Sequence, residues 1–180
     1  TFGTVTLAED GLSANVAVTG AKFGETYEVN VAGIEQAFTV SFGTVNDYYD
    51  LVFDYDTEDS NENGIKDIAA TGAETVQVTV KVVAKGTEEA YKTSGVVRFD
   101  TTRGGIAQNE AVLKDGVASI QLTSEAANEL VQARVTATIV GDYELEGLTD
   151  SSLIECVPVD GDEDVEPVRR VAITNAVTNQ

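Results

Sequence analysis

Several side chains on which enzymes and metalloproteins commonly depend are missing or scarce. The sequence contains no histidine, no tryptophan and no methionine, and Cys156 is its only cysteine. Without an imidazole there is no histidine general base, no Ser-His-Asp relay and no histidine-ligated zinc site. A single cysteine excludes a disulfide within the chain and an all-cysteine metal site. These absences predict a protein that is not an enzyme.

Positive charge is scarce as well. The chain has 11 Lys and Arg residues against 31 Asp and Glu residues, which gives a formal net charge of -20. Repulsion from phosphate groups argues against nucleic acid and anionic membrane surfaces as partners. No apolar run approaches the roughly 20 residues that span a bilayer, so membrane insertion is not expected. Clustered carboxylates attract metal cations instead.

Two catalytic possibilities remain, and each has a simpler interpretation. Cys156 lies in an apolar pattern with Leu153, Ile154 and Val157, which predicts a small buried hydrophobe rather than a reactive thiol. The many acidic residues could include a pair of carboxylates placed as in a glycosidase. Sugar clefts usually offer aromatic platforms, however, and the chain has only six Tyr and six Phe.

Alternation of apolar and polar residues dominates the chain and predicts β-strands. The clearest run is 74–84, where every second residue is valine, followed by 131–139 and 117–124. Shorter candidates are 4–7, 15–18, 27–31, 37–41, 50–55, 96–100, 153–159 and 171–177. Glycine turns such as Lys85-Gly86 and Asp115-Gly116 separate the strands at intervals typical of a β-sandwich. One helical turn is expected at 124–130, with Ser124 as its cap and Leu130 packed inward.

The pattern divides the chain into three parts. Residues 1–44 carry too few strands to close a sandwich and predict a partial or small Ig-like module. Residues 45–159 are the size of one complete sandwich, and residues 160–180 form an acidic linker and the start of a following module. A chain that begins at Thr1 without methionine is expected to be processed or to be a piece of a longer protein.

The acidic stretch 54–67 is the most informative segment. From Asp59 it alternates oxygen-bearing side chains with other residues, continues with Gly64 and returns to a carboxylate at Asp67. Calcium takes roughly six to eight oxygen ligands in a flexible cage, and glycine permits the sharp turn that brings them together. The alternative is a solvated acidic turn that binds no ion. Magnesium is disfavoured as the ion because it demands octahedral geometry. The spacing predicts a calcium site with ligands from Asp54, Asp56, Asp59, Asn61, Asn63, the Ile65 carbonyl and Asp67.

The segment D-S-N-E-N-G-I-K-D at 59–67 resembles the calcium repeats of thrombospondin type 3 and dockerin-like loops. That resemblance implies side-chain ligation by Asp59, Asn61, Asn63 and Asp67. The acidic residue that those loops often place twelfth falls on Ala70, which cannot ligate. With two Asn in place of Asp, the departures imply weaker affinity, or help from Asp54, Asp56 or Glu58.

A second acidic cluster at 160–166 lacks this ordered spacing. Asp160, Asp162 and Asp164 form a weaker candidate cation site, which would set the angle to a following module. The alternative is a flexible linker extended by its own repulsion.

Residues 66–139 resemble the bacterial Ig-like repeats of the invasin and intimin type. The matching pieces are a Val/Thr-rich strand, G-V-V-R-F at 95–99, D-G-V-A-S-I-Q-L-T-S at 115–124 and a Val/Ala-alternating strand. Residues 7–31 are similar, more weakly, to Ig-like pieces of surface-layer proteins. The resemblance implies tandem, all-β Ig-like sandwich modules with no long helix.

Together these features resemble the body of a bacterial surface-layer protein. The resemblance implies an extracellular, non-catalytic structural module that self-associates with neighbouring subunits, with Ca²⁺ ordering the lattice. The alternatives are an adhesin stalk and a carbohydrate-binding sandwich with structural calcium. An adhesin would present exposed aromatic side chains on loops, for which the candidates are Tyr48, Tyr49, Tyr91 and Tyr143.

Overall fold

The computed structural model describes residues 2–7, 9, 14–18, 20–30, 35, 37–141 and 143–159. These residues form thirteen β-strands and one short 3₁₀ turn, Val45–Asp47, with no α-helix among them. None of their helical segments has the length and apolar character needed to cross a bilayer. The strands are β1 Phe2–Leu7, β2 Ala14–Val18, β3 Thr26–Val29, β4 Phe38–Ser41, β5 Tyr49–Tyr55, β6 Lys66–Ala69, β7 Thr75–Ala84, β8 Gly95–Thr101, β9 Gly105–Ile106, β10 Glu110–Leu113, β11 Val117–Thr123, β12 Val131–Val140 and β13 Thr149–Val157.

Two larger sheets form a β-sandwich. One has the order β10-β8-β12-β13-β6 and the other the order β5-β7-β11-β9, while β1-β2 and β3-β4 form separate two-stranded sheets. Neighbouring strands run antiparallel except β6, which is parallel to β13. The orders β5-β7-β11-β9 and β8-β12-β13 correspond to the ABED and CFG sheets of an immunoglobulin sandwich. One departure is that β10, after β9 in the chain, pairs with β8. The predicted all-β, Ig-like class is confirmed.

Period-two alternation builds the core, as the sequence predicts. Val76, Val78, Val80 and Val82 of β7 are all buried, and their polar neighbours face outward. β11, next to β7 in the same sheet, and β12, in the facing sheet, repeat the pattern. The largest fully buried side chains in the described residues are Phe99, Leu113, Leu122, Ile139, Leu145, Leu148 and Ile154. This apolar layer supplies the driving force that holds the two sheets together.

The predicted helical turn at 124–130 is wrong. Ser124 is buried and its Oγ accepts a hydrogen bond from the Gly72 backbone N–H at 3.1 Å, so it caps no helix. Ala126 forms an antiparallel bridge with Thr71, and Leu130 is exposed rather than packed inward. Pairing with the chain at Thr71 keeps this segment extended, which outweighs the helix propensity of its alanines.

Some strand boundaries differ from those predicted from the sequence, because pairing with a neighbouring strand sets where they begin. β13 begins at Thr149, four residues before the predicted run, because it pairs along β12 from Thr138 to Val131. β6 was not predicted, since its four residues have no clear alternation. The candidate strand at 171–177 and the linker at 160–180 lie outside the described residues. The tandem arrangement and the boundaries at 44 and 159 stay predictions.

The turn glycines offer a matched test of the fold. Gly116 closes a two-residue hairpin between β10 and β11 with φ of +81°, and Gly86 has the same φ. A Cβ on Gly116 would collide with the Tyr91 carbonyl oxygen, whereas a Cβ on Gly86 meets no atom within 4 Å. We expect Gly86→Ala to lower the free energy of unfolding by about 1 kcal/mol through left-handed strain. Gly116→Ala should cost about 1–3 kcal/mol more because of the collision. Urea unfolding of both variants checks this, and equal losses would contradict the structure.

Candidate cation site at the β5–β6 loop

The acidic loop crosses from one sheet of the sandwich to the other. It leaves the end of β5, at the edge of the four-stranded sheet, and enters β6, at the edge of the five-stranded sheet. Two hydrogen bonds close its base: the Asp67 N–H donates to the Glu58 carbonyl at 2.8 Å, and the Thr57 hydroxyl donates to the Asp67 carbonyl at 2.6 Å. The loop is therefore a closed curl anchored at both ends.

Side-chain oxygens inside the curl are held by the loop's own backbone. Asp59 accepts hydrogen bonds from Gly64 N–H at 2.7 Å and from Asn63 N–H at 3.2 Å. The Asn63 Oδ1 accepts from Ile65 N–H at 2.8 Å, and Asn61 Oδ1 accepts from Asn63 N–H at 3.1 Å. Gly64, at φ of +87°, makes the turn. The alternating residues identified in the sequence are thus brought together on one short curl.

Asp67 is the most unusual member of the group. Its side chain is 7 % exposed, and its Oδ2 accepts from the backbone N–H and hydroxyl of Ser60 at 2.7 and 2.5 Å. Its Oδ1 is buried and has no hydrogen-bond partner. A buried polar atom without a partner carries its full desolvation cost, which makes such atoms rare in folded proteins. A cation bound beside this oxygen would remove that cost.

Glu155 completes the group from the far end of the chain. It is 2 % exposed and pairs in register with Asp67 across the parallel β6–β13 ladder. Its Oε1 accepts from the Gln132 amide, and its Oε2 accepts from the amides of both Asn61 and Asn63, each at 2.9 Å. These donors, Gln132 foremost, hold the pKa of Glu155 below its usual range although burial alone would raise it.

Sequence analysis missed Glu155. It lies between Ile154 and Cys156 in an apolar strand, and only the pairing of β6 with β13 places it next to the loop. One signal was available, because an acidic residue inside an apolar run is seldom buried without partners. Its lowered pKa keeps it ionised, which does not suit the general acid that glycosidase chemistry requires.

The other predicted ligands lie in shallow clefts beside the curl. Asp56 and Glu58 line a cleft of about 420 Å³ that also contains Asp67 and Glu74. Asp54 is exposed and lines a neighbouring cleft of about 710 Å³ that also contains the side chain of Lys66. The second predicted site, at Asp160, Asp162 and Asp164, lies outside the described residues.

The donor set is compatible with calcium, though it is rich in neutral oxygens. Within the described ranges, no group of three or more His, Cys, Asp or Glu side chains is arranged to hold a metal ion. A calcium ion here would need Asn61, Asn63 and the Ile65 carbonyl beside the carboxylates of Asp59 and Asp67. Calcium accepts such mixed carboxylate, amide and carbonyl ligands. The unpartnered Asp67 oxygen is the feature that favours an ion over a self-satisfied acidic turn.

No protein-family model and no curated protein matches the chain. Among solved structures, the chain is similar to the D0-D1 domain of intimin, with 19% identity, coverage of 87% of this chain and 80% of that chain, and a TM-score of 0.40. It is also similar to a glycosyl hydrolase family 2 member from Bacteroides cellulosilyticus DSM 14838, with 15% identity, coverage of 82% of this chain and a TM-score of 0.42. The chain spans 20% of the length of that hydrolase. Both TM-scores are low, so the function has to be inferred from the residues of the site.

The aromatic side chains named for an adhesin fall into two groups. Tyr49 and Tyr91 pack against the core with ring centroids 4.8 Å apart, and the Tyr91 hydroxyl donates to Glu144 at 3.1 Å. Tyr48 and Tyr143 are 47 % and 43 % exposed. The hydrogen bond with Tyr49, then burial and Glu144, raises the pKa of Tyr91 to about 12. Tyr49 and Tyr91 are therefore structural. Tyr143 is partly exposed, and Tyr48 is partly exposed although its ring lies 5.5 Å from that of Phe23.

Cys156 behaves as the sequence predicts. It is 2 % exposed and belongs to the apolar core with Ile68 and Ile154. A thiol enclosed by apolar side chains is shielded from reagents in solution.

Proposed function

We propose that the chain is a non-catalytic, calcium-stabilised Ig-like module of an extracellular bacterial surface protein, and that it contributes to assembly of a surface-layer lattice. The observation that carries the proposal is the buried, unpartnered Oδ1 of Asp67 at the base of a curl of inward-held oxygens. Bound calcium would supply a positive charge that satisfies this oxygen and neutralises the neighbouring carboxylates. No catalytic role is assigned to any residue.

The composition of the site supports an extracellular location. Two of the side chains in the curl, Asn61 and Asn63, are neutral amides, so the ligand charge is low. Calcium sites in extracellular modules bind with Kd values of about 10⁻⁴–10⁻³ M, far weaker than those of cytosolic sensors. A weak site is filled only where calcium is abundant, which is the case outside the cell.

The net charge supports a role for calcium in self-association. Copies that each carry a formal charge of -20 repel one another, which opposes lattice contacts. Divalent cations reduce that repulsion both by binding at the site and by screening. Neighbouring subunits are thus the proposed partners, with calcium as the condition for their contact.

We expect millimolar calcium to drive the chain from monomers to larger assemblies, and EGTA to reverse the change. Light scattering during a calcium titration measures this, with magnesium at the same concentration as the control for screening. Magnesium should be clearly less effective because it fits the curl poorly. A chain that stays monomeric up to about 10 mM calcium, well above the expected Kd, would contradict the lattice role.

A second function, carbohydrate or receptor binding, rests on the exposed rings of Tyr48 and Tyr143. Half-exposed tyrosines can stack on sugars or on a protein surface. Binding on a glycan array that Tyr48→Ala or Tyr143→Ala abolishes would favour this function. Absence of binding, together with calcium-dependent association, would favour the lattice.

A further inference from the structure

We infer that Glu155 is a direct ligand of the cation and replaces the twelfth-position carboxylate that Ala70 cannot provide. This inference rests on the proposed calcium site and adds a residue from outside the loop. The ion would then cross-link the β5–β6 loop to β13 through Glu155, which lies 94 residues from Asn61 along the chain. The site would then take its ligands from both the loop and β13, rather than from the loop alone.

The position of Glu155 is the first argument. Its carboxylate lies within one hydrogen bond of two of the predicted ligands, because its Oε2 accepts from both Asn61 and Asn63 at 2.9 Å. Amide oxygens have two lone pairs, so an Asn Oδ1 that accepts a loop N–H can also face an ion. The amides of Asn61 and Asn63 occupy Glu155 Oε2 with their N–H donors, whereas Oε1 accepts only from Gln132 among the described residues and keeps a lone pair for an ion.

Burial is the second argument. Glu155 and Asp67 are 2 % and 7 % exposed, and their backbones are paired in adjacent strands. Neighbouring strands lie about 4.8 Å apart, so an ion bound beside one of these carboxylates lies close to the other. Among the described residues, the partners of Glu155 are neutral amides, and Asp67 keeps one oxygen with none. A divalent cation shared by the two carboxylates would satisfy the open oxygen of Asp67 and bind Glu155 at the same time.

The topology makes this ligand mechanically important. β6 has only four residues at the edge of its sheet, and β13 is its only neighbour in the described residues. Glu155 also contacts Gln132 of β12, so an ion at this point would tie the edge strand to the inner strands. Calcium would then bind the β5–β6 loop, which connects the two sheets, to β13, the last strand of the sandwich.

Calorimetric titration of calcium into the 180-residue chain tests the inference, with Glu155→Gln as the variant and Asp150→Asn as the control. Asp150 lies on the same strand, is exposed, and loses the same charge in its variant. We expect Glu155→Gln to weaken calcium binding about tenfold or more and Asp150→Asn to leave it unchanged within about twofold. Binding by Glu155→Gln within twofold of wild type, with wild type binding normally, would overturn the inference and leave the calcium site standing. If the wild-type chain binds no calcium, both the proposed function and this inference are refuted.

If Glu155→Gln does not fold, hydrogen exchange on the wild-type chain tests whether Glu155 binds the ion. Calcium should slow amide exchange in β6 and in residues 154–157 of β13, as well as in the loop. Slower exchange confined to residues 56–65 would show that the ion is held by the loop alone, and would overturn the role of Glu155.

Discussion

EGTA should lower the melting temperature of the chain by roughly 5–10 °C relative to the same protein in saturating calcium. A ligand that binds only the native state at a hundredfold excess over its Kd adds about 2.7 kcal/mol to the free energy of unfolding. The physical source is the buried Asp67 oxygen, which has no hydrogen-bond partner until calcium binds beside it. Scanning calorimetry with and without chelator measures the shift.

Asp59→Ala should abolish most of this calcium-dependent shift, because Asp59 holds the curl by accepting from Asn63 and Gly64. Asp162→Ala removes the same charge from the second acidic cluster and should leave most of the shift intact. A wild-type melting temperature that does not respond to EGTA would refute the calcium site. Equal loss in both variants would point to general screening of the -20 charge instead.

Phe99→Ala should reduce the free energy of unfolding by about 3–5 kcal/mol, the largest effect we expect from a single substitution. Phe99 is 0% exposed and is among the largest fully buried side chains between the sheets. Its removal loses both the transfer free energy of the ring and the packing around the remaining cavity. Because domains of this kind are stable by about 5–15 kcal/mol in total, the variant should be close to unfolding.

Val112→Ala is the matched control, since Val112 is 75% exposed on the edge strand β10. Its effect should stay within about 0.5 kcal/mol. Urea denaturation of both variants gives the comparison. Similar losses for Phe99 and Val112 would mean that the two sheets do not pack face to face as described.

The fold was largely predictable because its signal is local. A strand that buries one face must alternate apolar and polar residues, and β7, β11 and β12 do so along their whole lengths. Asp115-Gly116 predicts a tight hairpin for a similar reason, since both residues adopt positive φ. The helical turn predicted at 124–130 was wrong, because an isolated bridge to Thr71 outweighs the helix propensity of the segment.

The site was predictable only in part, because some of it is not local. Asp59, Asn61 and Asn63 are joined by hydrogen bonds within one loop, and Asp67 is tied to the same loop through Ser60. Glu155 belongs to the same cluster through a parallel pairing between strands far apart in the chain. Nothing in the sequence near β6 indicates that pairing, so residue spacing alone could not place Glu155 beside the loop.

Calorimetric titration of calcium into the intact chain is the most direct test of the central claim. The account predicts one saturable site with a Kd of about 10⁻⁴–10⁻³ M, lost in Asp59→Ala. No binding heat and no change in amide exchange up to about 10 mM calcium would contradict it, because a site of that affinity would then be filled.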